Sequence, residues 1–248
     1  MIELEREGDV FILTMNAGEN RWNTTFARAF DAALDEVEAS TGPAALVTAS
    51  SSEKFFSNGL DLDWLSVEGE HPGGDRRVFG AEAMALFGRM ITFPLPTVCA
   101  VNGHAFGAGL MIALSHDLRV MREDRGYLCA NEIELGMTIP EPELALFRHK
   151  MPVDAFFQTV LHARRWAGSD ALKAGIVQQV TDLDNVLATS LERAQALAHL
   201  GAHRENMAWM KERVYGENAS INNVHGPAYM LRNQSLYARG PEAAARAR

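Results

Sequence analysis

Cysteine is nearly absent: Cys99 and Cys129 are the only two in 248 residues. No disulfide framework and no CxxC metal motif can be built from them. Each lies in an apolar stretch, TVCAV and YLCAN, and reads as a small buried hydrophobe. The eight histidines show no metal-ligand spacing, so no metal is expected. Long apolar runs are also missing. The longest, Ala105 to Leu114, falls far short of the roughly 20 residues that a membrane span needs, so no membrane partner is expected. Positive charge is in deficit. The chain carries 32 Asp+Glu against 23 Lys+Arg, a net charge of −9, which argues against sequence-independent binding to nucleic acid. The opening MIELEREGDV is too charged for a signal peptide, and the closing AAARAR is not a peroxisomal address, so a reducing cytoplasm is the expected compartment. There is no low-complexity tract and no sharp repeat. What is there, 47% apolar and 22% charged, fits one large globular domain or a domain with an appendage.

Along the chain, Glu3 and Glu5, then Val10, Ile12 and Leu13, alternate about the Glu7-Gly8-Asp9 turn and predict a hairpin. Asn23 reads as the cap of a helix whose Phe26, Phe30, Ala33, Leu34 and Val37 fall at helical spacing. Ala44 to Ala49 and Pro96 to Val101 predict strands, and about Ala81 to Met90 predicts a helix. Between them, Ser66 to Asp75 reads as a mobile loop. Leu118 to Met121 and Tyr127 to Ala130 predict two more strands across a turn at Glu123 to Gly126. From Glu141 onward helix signals dominate: Pro152 to Ala163, then Asp170 to Ala174 with Ser169 as N-cap and Gly175 as C-cap, then Leu183 to Leu200. Strands and helices alternate first and helices follow. This predicts an α/β core over 1–185 and an α-helical C-terminal region over 186–248.

Three segments carry residues suited to chemistry. In Phe55-Phe56-Ser57-Asn58-Gly59-Leu60-Asp61 a strand ends and turns through Gly59 into a helix near Asp61. Backbone N–H groups at such a turn can point into a site, although a plain turn and cap would use the same residues. In Val101 to Met111 a strand feeds the glycine-rich turn Gly107-Ala108-Gly109 that opens a helix. The first turn of a helix has unpaired donors and the positive end of the dipole. This GxG lacks the layout of a dinucleotide fingerprint. In Asn131 to Pro140, Glu132 sits among apolar residues at the end of a strand, where desolvation raises a carboxylate toward a useful base. Glu134 shares the face of Glu132 if the strand continues, and competes for the role.

In this order, FFSNGLD, PTVCAVNGHAFGAGL, SHDLRV, NEIELGMTIP and the stretch from Ser169 to Val177 resemble the crotonase (enoyl-CoA hydratase/isomerase) superfamily, and within it the plant-type enoyl-CoA delta isomerases. The resemblance covers about residues 1 to 180. It implies a crotonase-like spiral of ββα units, a helical C-terminal trimerisation region, a homotrimer or hexamer, and an acyl-CoA thioester as substrate. Coenzyme A enters as part of that substrate, and no separate cofactor is implied. It further implies that the N–H groups of Leu60 and Ala108 hold the thioester oxygen as it becomes an oxyanion.

The resemblance also bears on the reaction. Hydratases of the superfamily use two glutamates; one position is matched here by Glu132 and the other by Met111. One carboxylate suffices to move a proton between C2 and C4. The implied activity is therefore a shift of the 3-enoyl double bond to trans-2-enoyl-CoA, within fatty acid β-oxidation, with Glu132 as a one-glutamate shuttle. A hydratase, a thioester hydrolase, a decarboxylase and a non-catalytic acyl-CoA-binding subunit stay open as alternatives. Glu141 and Glu143, in IPEPE, read as helix-start or surface residues because acids favour a first helical turn, and either could assist as a second acid or base. Arg21, Trp22, Asn23, Lys54, Ser57, Asn58, Gly59 and Gly107 lie in segments that the resemblance places around the CoA. Trp64 and Phe87 read as core more than as acyl pocket. His104 reads as packing, and His116-Asp117 as structural.

Overall fold

A computed structural model describes residues 1–67, 72–217 and 225–237. Strands β1 (Ile2–Glu7) and β2 (Val10–Met15) form the expected hairpin, and α1 (Thr24–Glu38) follows. Asn23 caps α1: its Oδ1 accepts from Phe26 N at 2.9 Å, and the helix buries Phe26, Phe30, Leu34 and Val37. Then come β3 (Ala45–Ser50), β4 (Phe55–Ser57), α2 (Leu62–Ser66) and α3 (Arg76–Ile91). Next are β5 (Thr97–Val101), β6 (His104–Phe106), α4 (Ala108–Ser115), β7 (Leu118–Arg122) and β8 (Leu128–Cys129). A 3-10 turn over Glu132–Leu135 leads to α5 (Glu141–Lys150), α6 (Val153–His162), α7 (Gly168–Lys173), β9 (Gln179–Thr181), α8 (Leu183–Leu197), α9 (Arg204–Tyr215) and α10 (Pro227–Arg232).

The strands make a six-stranded sheet, β1-β2-β3-β5-β7-β9, and a three-stranded sheet, β4-β6-β8. Apart from the β1–β2 pair, every pairing between these strands is parallel. After the β1–β2 hairpin, which lies wholly in the large sheet, the pairs β3/β4, β5/β6 and β7/β8 each send one strand to the large sheet and the next to the small sheet before a helical segment follows. This is the expected spiral of ββα units. Alternation sorts the two faces of the large sheet. Leu46, Cys99, Val101 and Met121 join the main core with α1, α3 and α4. Ala45, Val47, Val98 and Val120 face the other way and meet Val186 and Ala194 of α8. The division expected at 185 and 186 therefore falls inside a helix that covers the sheet.

The two strands expected on either side of the turn at Glu123 to Gly126 are present as β7 and β8, in different sheets, and Gly126 (φ +104) passes so close to Gly103 that a side chain would not fit. Three local expectations are corrected. Helix α3 starts at Arg76, not Ala81, because Asp75 caps it by accepting from Arg77 N at 2.9 Å. Helix α7 is preceded by Ala167 as N-cap, and Ser169 lies within it. The short edge strand β9 falls in the stretch expected to be helical. Of the loop expected over 66–75, residues 68–71 lie outside the described residues.

Candidate active site

The small sheet brings two turns together. Strands β4 and β6 pair in parallel, so the turns that follow them emerge side by side. At Gly59 (φ +79) a Cβ would stand 2.7 Å from Phe106 O and 3.6 Å from Ala108 N. At Gly109 a Cβ would stand 2.3 Å from Ser57 O. Only glycine permits this approach. As a result the N–H groups of Leu60 and Ala108 lie close to each other, and neither finds an acceptor among the described residues. Ala108 opens α4, which is buried along its whole length, so its donor has the helix dipole behind it.

These turns border a cavity of about 570 Å³. Leu62, Leu65, Phe79, Met84, Met111 and Met137 supply much of its apolar wall. Its charged groups are Arg21, Arg76, Glu132 and Glu143. Glu132 belongs to the 3-10 turn, which Gly136 (φ +70) closes, and not to a strand end as expected. One carboxylate oxygen, Oε1, lies 3.1 Å from where a Cβ on Gly107 would be. The other, Oε2, is buried and has no hydrogen-bond partner among the described residues. Burial raises the pKa of this carboxyl. Such a group is a stronger base than a solvated glutamate and is placed against the turn that carries the Ala108 donor. Glu134 does not compete. It is exposed, paired to Arg165 at 2.6 Å, and held below the ordinary carboxylate range by that partner.

Glu143 departs from the surface position expected of it. It is in the first turn of α5, but on the stripe that also buries Leu146 and Phe147, and it is 9% exposed. Burial, and secondarily the charge of Glu132, push its carboxyl up to about 8. The cavity wall therefore holds two carboxyls. Glu143 was findable in the sequence as an acid at i, with Leu146 and Phe147 at i+3 and i+4. Arg76 had no such signal, being the first residue of a helix whose start was not legible; its guanidinium donates to Trp64 O at 3.4 Å.

The residues expected around the CoA divide into two groups. Arg21, Asn58, Gly59 and Gly107 line the cavity. Arg21 is half-buried and held by Glu19 at 2.8 Å and Asp63 at 3.0 Å; Asn58 Nδ2 donates to Glu19 at 2.8 Å. Trp22, Asn23, Lys54 and Ser57 are off it. Trp22 is fully buried among Phe26, Phe30 and Phe87, and its Nε1 donates to Ser57 Oγ at 3.1 Å. Ser57 Oγ in turn donates to Asn20 O at 2.7 Å. This pair ties the segment before α1 to the Gly59 turn. Asn23 is used as the α1 cap, and Lys54 is exposed with its ammonium 4.8 Å from the Phe55 ring centre.

Trp64 and Phe87 are core residues. His104 packs against Phe106, Tyr127 and Phe55, with burial lowering its pKa. His116 is buried between Ile112 O and Thr48 Oγ1, and Asp117 accepts from Thr97 and pairs with Lys211 at 2.7 Å. Both roles are structural. No cluster of His, Cys, Asp and Glu among the described residues could hold a metal, and no helix among them is long and apolar enough to cross a membrane.

Residues 5–231 match the family model described as enoyl-CoA hydratase/isomerase. Over 227 residues the chain is 30% identical to enoyl-CoA delta isomerase 2, peroxisomal, of Arabidopsis thaliana, covering 89% of this chain and 95% of that one. It is 32% identical to enoyl-CoA delta isomerase 1, peroxisomal, of the same plant, covering 81% of each chain. Among solved structures, a probable enoyl-CoA hydratase from Mycobacterium tuberculosis superposes with a TM-score of 0.79 at 23% identity, covering 99% of this chain and 97% of that one.

Proposed function

Because the chain belongs to the enoyl-CoA hydratase/isomerase family, we propose that it is an enoyl-CoA isomerase converting 3-enoyl-CoA to trans-2-enoyl-CoA. The observation that carries this reading is one juxtaposition. Two unpaired N–H groups from two abutting turns stand beside a partnerless carboxylate, while Met111 supplies an apolar wall on α4. With the thioester oxygen between Leu60 N–H and Ala108 N–H, ionised Glu132 takes a proton from C2. The electron pair left behind spreads over the thioester and the C3=C4 bond as a dienolate. The two donors meet the charge that develops on its oxygen, each worth about 3–4 kcal/mol in the transition state. A proton delivered to C4 completes the shift. The step moves one proton and one double bond, so neither oxidant nor metal is consumed. The apolar wall suits an acyl chain, and Arg76 and Arg21, the latter shared with Glu19 and Asp63, are the cationic groups on the cavity wall that could meet the CoA phosphates in a protein whose net charge is −9. In this reading the product is the conjugated thioester that β-oxidation consumes.

The test supplies purified protein with a 3-enoyl-CoA and follows the absorbance of the conjugated thioester. Absorbance should appear, and Glu132→Gln should slow it by about 100-fold or more with the fold intact. No absorbance from 3-enoyl-CoA, together with loss of absorbance from 2-enoyl-CoA, would mean hydration instead. No change with either substrate would leave a thioester hydrolase, a decarboxylase or a binding subunit.

A further inference from the structure

Glu143 has no structural employment. Its carboxyl forms no hydrogen bond and no ion pair among the described residues, unlike Glu19, Glu82 and Glu134, each held by a cation or an amide. It stands on the buried stripe of α5, where a leucine would serve the packing better, because a carboxyl removed from water without a partner lowers stability. Yet it borders the same cavity as Glu132 and reaches it from a different element, α5 rather than the 3-10 turn. Helix α5 packs on α4, where the cavity wall carries Met111. The cavity thus presents two carboxyls, neither of them bonded to a cation.

We propose that Glu143 is a second catalytic residue: the neutral acid that delivers the proton to C4 while Glu132 acts as the base at C2. This rests on the isomerase reading. The C2–H bond breaks and its proton goes to Glu132. The C3=C4 π electrons take the proton of the Glu143 O–H, forming the new C4–H bond, while the C2 electron pair becomes the C2=C3 bond. Glu143 is left ionised and Glu132 neutral; between turnovers Glu132 gives its proton to water and Glu143 takes one from water, which resets the pair. Burial and the neighbouring Glu132 charge favour the neutral form of Glu143 at the start of this cycle.

The experiment has two parts. Wild-type enzyme is given 3-enoyl-CoA deuterated at C2 in ordinary water, and C4 of the product is read by mass spectrometry and NMR. Protium at C4 is expected, and deuterium carried from C2 to C4 would overturn the proposal. Glu143→Gln, which is isosteric with the neutral acid, is then assayed in heavy water. Its kcat for isomerisation should fall about 100-fold, while exchange of the C2 hydrogen of recovered substrate continues at close to the wild-type rate. Glu132→Gln should lose both. A Glu143→Gln enzyme that isomerises within about threefold of wild type, or that loses C2 exchange while its melting curve stays native, refutes the role of Glu143. Those results leave the isomerase reading standing. Wild-type enzyme that turns over no 3-enoyl-CoA refutes both.

Discussion

Glu132 and Glu143 differ in how much of their position a sequence can convey. The carboxylate of Glu132 is recognisable from the block around it, but its missing hydrogen-bond partner is a property of the packed chain. Glu143 looks like any acid in a first helical turn until the helix is docked. Only then does it become a carboxyl whose charged form the fold opposes. This has a consequence for stability. Glu143 is raised to about 8 in the fold, against 4.5 in an unfolded chain. Between those values the folded state binds more protons than the unfolded one, so the stabilisation present below about pH 4.5 is lost as the pH rises toward 8. Lys150 acts in the opposite sense at higher pH. Its burial lowers it to about 7 from 10.5, so it adds stability as the pH rises above 7. Comparison with Glu143→Gln cancels the Lys150 contribution. Melting curves at pH 5 and pH 8 should show wild type losing more stability than Glu143→Gln over that interval, by several kcal/mol. Equal losses in the two proteins would mean that Glu143 is not buried as a neutral acid.

The elements that shape the site are the shortest in the chain. Strand β6 has three residues and β8 has two, too few for alternation to show, so the sequence conveys a glycine-rich turn and not the small sheet that aligns it. The long elements were legible for the opposite reason. Helix α1 has a cap and a full apolar stripe, and β3 and β5 are almost wholly buried, mostly apolar runs. The glycines of the two turns can be ranked by what surrounds them. A Cβ at Gly109 meets the Ser57 carbonyl at 2.3 Å, rigid backbone on the neighbouring strand. Gly109→Ala should therefore separate α4 from β4 and lower stability by about 3 kcal/mol or more, seen as a large fall in Tm. At Gly107 (φ +49) a Cβ meets only Glu132 Oε1, at 3.1 Å. Gly107→Ala should cost about 1–3 kcal/mol in backbone strain and lower kcat about tenfold or more by displacing the base. A Gly107→Ala enzyme with native kcat would show that the Glu132 carboxylate has room to move without consequence.

Across the whole molecule, several exposed apolar side chains gather next to the site. Val153, Phe157 and Leu161 line one face of α6 and are each about half exposed or more, next to exposed Ile133 and Leu135 of the 3-10 turn that carries Glu132. Exposed apolar side chains grouped in this way mark a surface suited to contact with another chain. Together with the family resemblance, this predicts the homotrimer or hexamer, with α6 in the contact and not only the 186–248 region expected to carry it. Sedimentation should give three or six times the chain mass of 27.2 kDa, and Phe157→Glu with Leu161→Glu should reduce it toward a single chain without loss of helix signal. Wild type sedimenting at 27.2 kDa would sink the idea. By itself, the sequence determined the fold class, the family and the two glycine turns, and it pointed to Leu60, Ala108 and Glu132 as residues that border the cavity, because these depend on local blocks whose order and turn chemistry survive in one dimension. His104, His116 and Asp117, read as packing or structural residues, do not line the cavity. Only the tertiary structure decided which residues reach the cavity. It removed Trp22, Asn23, Lys54 and Ser57 from the wall, added Arg76, and turned Glu143 from a surface acid into a second carboxyl beside Glu132. The reason is that solvent exposure and shared cavities arise from how helices and sheets dock, through contacts between residues far apart in the chain that no local pattern encodes.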